Sequence, residues 1–111
     1  MSESCGCAVL ACRPFALSAE ERSRSHALHA RMVAAVQGVR PREGGYAWRF
    51  AADPGLFVAI AEWITLEGRC CPFLSFDLHW APEPAEVWLH LYGPEGTVAF
   101  LAEELPELPV P

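Results

Sequence analysis

The chain has 111 residues, of which 52% are hydrophobic and 20% charged, enough apolar material for one domain with its own core. Fourteen acidic residues against eight basic ones give a net charge of −6, and every basic residue is Arg. That balance argues against a nucleic-acid or anionic-membrane partner, and no apolar run approaches the roughly 20 residues of a membrane span.

Residues 1–14 form a Cys-rich arm, Cys5-Gly-Cys-Ala-Val-Leu-Ala-Cys12, closed by Pro14. A single domain is expected over 15–105. It begins with Ser18 and Glu21, a capping-box pair, which predicts a helix to about Val36 with Leu28, Met32, Ala35 and Val36 on its apolar stripe. Gly38 and Pro41 stop it, and the stretch Pro41–Gly45 reads as a loop. Tyr46, Trp48 and Phe50 alternate as a half-buried strand.

Asp53-Pro54 is a helix start, with Asp at the N-cap and Pro in the first helical position. Leu56, Phe57, Ile60, Trp63 and Ile64 carry this second helix to about Arg69, and Pro72 forbids its continuation. Residues 73–80 and 86–92 alternate as two strands of a hairpin, and a last helix is expected over 97–105. The tail 106–111 holds three prolines and cannot extend that helix. The expected fold is a small α+β domain of order α-β-α-β-β-α, with the helices on one face of a three-stranded, mainly antiparallel sheet.

Five cysteines are too many for this ordinary background and an odd number for a disulfide framework. No secretory signal is read at the N-terminus, so a cytoplasmic, reducing location is expected, where clustered thiols point to metal or redox chemistry. Glu67 falls on the apolar face of the second helix, one turn before Cys70 and Cys71, and Pro72 fixes the exit. The cluster offers a carboxylate and two thiols at a rigid corner. Its structural alternatives are an ion pair of Glu67 with Arg49 or Arg69, and thiols acting as small buried hydrophobes.

Tyr46-x-Trp48-Arg49-Phe50, Glu67-x2-Cys70-Cys71-Pro72-Phe73 and Leu91-x-Gly93-Pro94-x-Gly96 together resemble a family of small bacterial proteins. Its hallmark is a Glu-x2-Cys-Cys-Pro-Phe signature, and its members occur among heavy-metal and arsenic resistance genes. The resemblance covers residues 46–101 and implies a connection with soft metals or metalloids. It supplies no settled reaction.

Thiolates select soft acceptors, so the expected ligand is Cu(I), Hg(II), Zn(II) or As(III). Cys70 and Cys71 would supply two legs of a trigonal or tetrahedral site, and Cys5, Cys7 or Cys12 a third. The expected function is sequestration, sensing or transfer of such an ion. One alternative is a thiol redox enzyme using the Cys70–Cys71 pair. The other is a dimeric interaction module with structural cysteines.

His26 and His29 lie off the first helix's apolar stripe and read as solvated. A symmetric hairpin turn pairs Asp77 with His90 and His79 with Trp88 on the sheet face away from the helices. That array fits a homodimer contact better than a catalytic pair. No HExxH, phosphate-cradling glycine loop or dinucleotide motif is present.

Overall fold

Two capped helices organise the domain, and both start where the local chemistry places them. In the computed structural model, which describes residues 13–105 and 107–110, helix α1 spans Ala19–Ala35 and helix α2 spans Pro54–Cys70. The Ser18 hydroxyl accepts from the Glu21 N–H while the Glu21 carboxylate accepts from the Ser18 N–H, a reciprocal cap. At α2 the Asp53 carboxylate accepts from the Leu56 N–H at 2.9 Å, and Pro54 occupies the first turn. A short 3-10 turn, Pro14–Ala16, precedes α1, and a third helix, α3, spans Thr97–Glu104.

The α+β class is as expected, but among the described residues the sheet has four antiparallel strands, not three. Strand β1 (Gly38–Arg42) pairs with β2 (Gly45–Ala51), β2 with β4 (Glu86–Tyr92), and β4 with β3 (Ser75–Ala81), in the order β1-β2-β4-β3. The expected loop over Pro41–Gly45 is therefore the end of an outer strand and a tight turn. Arg42 pairs with Gly45, leaving Glu43-Gly44 as a two-residue turn with Gly44 at φ +78°. That positive φ is one that glycine adopts without a Cβ clash. The element order is thus α1-β1-β2-α2-β3-β4-α3.

The hairpin register agrees with the sequence reading: Asp77 faces His90, and His79 faces Trp88. Period-2 alternation sends Trp48, Phe50, Val87, Leu89 and Leu91 inward, where they meet Met32 of α1 and Ile60 and Trp63 of α2. Phe76 of β3 abuts Trp63 edge to face, with ring centroids 6.1 Å apart.

The chain beyond α3 also joins this core. Leu105 and Leu108 are buried, and the Trp48 indole N–H donates to the Pro109 carbonyl at 2.7 Å. Replacing Leu108 by Ala is expected to lower unfolding free energy by about 2–4 kcal/mol, read from urea denaturation. A loss below about 0.5 kcal/mol, the level of a surface substitution, would mean that this segment is not part of the core.

Candidate functional site at the end of helix α2

Helix α2 packs one face on the sheet, with Ile60 and Trp63 essentially inaccessible. That contact sets the rotation of the helix, so Glu67, seven residues after Ile60, comes to the edge of the core. The helix closes with the Cys71 N–H donating to the Glu67 carbonyl at 2.7 Å. Cys70 is its last residue, and Cys71 leaves helical geometry before Pro72.

This break separates the two cysteines. Cys71 turns inward and is fully buried, with its Sγ 3.5 Å from Glu67 Oε2. It is held in a disulfide, whereas Cys70 is a free thiol. Cys70 and Glu67 line a cavity of about 660 Å³ between α1, the end of α2 and the segment after α3, together with His26, His29, Trp63 and Glu104. The candidate ligands Cys5, Cys7 and Cys12 lie outside the described residues. Among the described residues, no three His, Cys, Asp or Glu side chains gather closely enough to hold a metal ion.

An ion pair braces the two helices that flank the cavity. The Arg69 guanidinium donates to both Glu21 carboxylate oxygens, at 2.8 and 3.2 Å, and to the Ala16 carbonyl at 2.9 Å. The same carboxylate caps α1, so one group ties the start of α1 to the end of α2. The Arg69 contact, helped by the cap, holds Glu21 down to about 2. The Arg13 N–H donates to the Cys70 carbonyl, which ties the segment before α1 to the thiol-bearing turn.

Neither cation expected beside Glu67 is there. Arg69 is committed to Glu21, and Arg49 lies on the opposite sheet face near Glu86 and Gln37. Burial therefore pushes the Glu67 carboxyl above its ordinary value, and the charge of Glu104 adds to the effect. Burial likewise raises the Cys70 thiol, the charge of Glu67 adds to it, the Arg13 amide works against it, and Glu104 adds a smaller rise.

His29 also departs from the sequence reading. It is half-buried, its ring stacks 6.2 Å from Trp63, and its Nε2 is buried without a hydrogen bond. Burial lowers its pKa, which the charge of Glu107 partly opposes. Its i,i+3 spacing from His26 was visible in the sequence. The covering by the segment after α3 was not.

The second expected cluster forms on the outer sheet face. His90 Nδ1 lies 3.9 Å from Asp77 Oδ2, His90 stacks on Tyr92 at 4.4 Å, and the Tyr92 hydroxyl donates to Asp77 at 3.4 Å. No protein-family model, curated protein or solved structure matches this chain. No helix among the described residues is long and apolar enough to cross a membrane.

The buried carboxyl makes a pH prediction. A folded-state pKa above the ordinary 4.5 means the native state holds the Glu67 proton more tightly than the unfolded state. Stability must then fall as pH rises through 4.5 and on through the raised folded value. Glu67→Gln removes that loss. Its melting temperature should match wild type near about pH 4 and exceed it toward about pH 8, the gap widening until the raised folded value is passed and then holding. A constant gap between the two across that range would show that Glu67 does not carry the effect.

Proposed function

We propose that the chain is a thiol-based binding protein for a soft metal or metalloid ion, with Cys70 as the entry ligand at the mouth of the α1–α2 cavity. The observation that carries this reading is the placement of a free thiol and a desolvated carboxyl on one cavity wall, with the Cys71 sulfur 3.5 Å from the same carboxyl. Cysteine sulfur supplies the soft donor, and Glu67 is positioned to accept the proton that leaves Cys70 when a metal–sulfur bond forms. Cys71 becomes a second ligand once its disulfide is reduced. The anchoring of Arg13 on Cys70 supports a contribution from the thiols that precede it in sequence, as does the resemblance to proteins of metal and arsenic resistance.

The raised Cys70 pKa favours binding over nucleophilic catalysis. A catalytic thiol needs a stabilised thiolate, as beside a cation or a helix N-terminus, whereas Cys70 sits at a helix C-terminus near two carboxyls. A soft ion displaces the proton by bond strength instead. The disulfide at Cys71 favours a second reading, a redox role in which the cysteines cycle between oxidised and reduced forms. The cytoplasmic setting and the homodimer belong with these proposals.

Native mass spectrometry of the reduced chain, offered Cu(I), Zn(II), Hg(II) and As(III) in competition, tests the reading. One soft ion should be retained, and Cys70→Ser should weaken its binding by about two orders of magnitude. Retention of the ion by Cys70→Ser at wild-type affinity would exclude Cys70 as a ligand. Reversible turnover of the disulfide with no ion retained would establish the redox reading. Glu67→Gln should also speed alkylation of Cys70 about two- to threefold at neutral pH, because the raising charge is gone. An unchanged rate would show that the two groups are not coupled.

A further inference from the structure

The outer face of the sheet is uneven because the first half of β2 presents almost no side chain there. Its outward positions include Gly45 and Ala47. Across β1 these face Arg42 and Arg40, and across β4 they face Tyr92 and His90. Two long basic side chains and a row of rings therefore flank a nearly bare strip. The result is a cavity of about 420 Å³ lined by Arg40, Arg42, Asp77, His79, Trp88 and His90. Gly45 cannot fill it, since a Cβ there would collide with the Leu91 carbonyl.

The charges of this cavity differ from those of four other arginines. Arg24, Arg31, Arg49 and Arg69 each have a carboxylate within 4.0 Å. Arg40 and Arg42 have none among the described residues, and Arg40 lies over the Trp88 ring at 4.3 Å. His90 is mostly buried, and its Nε2 makes no hydrogen bond. After burial, the charge of Arg42 is the main cause that lowers the His90 pKa, as expected of groups sharing one positive field.

We propose that this cavity binds a small oxyanion, the negative group of a phosphate, sulfate or carboxylate, between the guanidinia of Arg40 and Arg42 and the imidazoles of His79 and His90. Guanidinium forks match oxyanion geometry, and both histidines can donate. The rim carboxylate Asp77 disfavours a second negative charge, so the ligand carries one such group, with room in the cavity for a small neutral remainder. An extended polyanion would meet a chain of net charge −6. The site lies on the sheet face opposite the thiol cavity and does not depend on the metal reading.

Isothermal titration of the full chain at low ionic strength with inorganic phosphate, sulfate and acetate tests it. One anion should bind per chain, and preference among the three distinguishes tetrahedral from carboxylate ligands. Arg42→Gln should weaken binding about tenfold, and the Arg40→Gln/Arg42→Gln variant should abolish it. Asp77→Asn should tighten it about threefold, because a competing carboxylate is removed. Arg24→Gln, which touches only Glu62 on the helical side, should leave affinity unchanged. Wild-type affinity in the double variant overturns the proposal. So does an equal loss in Arg24→Gln, which would mark a general charge effect, or a dimer that covers this face regardless of phosphate.

Discussion

The stop that Pro72 places on α2 governs both the packing and the chemistry of the domain. The contact of Ile60 and Trp63 with the sheet sets the rotation of the helix, and Pro72 sets where it ends. With both fixed, Glu67 and Cys70 have one available place, at the edge of the core. The next residue, Cys71, is turned into the interior by the same break. Two side chains adjacent in sequence thus enter different surroundings, one facing a cavity and the other packed among core residues.

Desolvation is the common theme of that cavity. Glu67, Cys70 and His29 are all shifted toward their neutral forms by burial, and the neighbouring carboxylates reinforce the shift for the first two. Burial makes each of these groups costly to charge, and the two carboxyls add to that cost for the thiol. By contrast, the outer sheet face keeps fixed positive charge on exposed guanidinia. The sheet separates an acidic, thiol-bearing side from a basic patch.

Much of the fold is legible in short-range chemistry. The Ser18–Glu21 box, the Asp53-Pro54 start and the alternation of the 75–92 hairpin each specify local geometry without help from the rest of the chain. Strand β1 is different. Gly-Val-Arg-Pro-Arg has one inward apolar residue, Val39, and a proline, so its strand character comes from pairing with β2 and not from its own pattern. At the site, spacing brings Glu67 and Cys70 together correctly. The inward turn of Cys71 depends on backbone dihedrals after the last helical residue, which spacing does not encode. The burial of His29 depends on distant chain, Leu105 and Glu107, that borders the same cavity.

Pro41 has a consequence for assembly. Among the described residues the sheet ends in two outer strands, β1 and β3, and an outer strand with free N–H and C=O groups is a template on which another chain can add. Proline has no N–H to offer, and β1 is only five residues long, so that border is a poor acceptor. β3 spans seven residues without proline. Of the two, β3 is thus the one that keeps a full set of backbone donors along its length, beside Asp77 and His79.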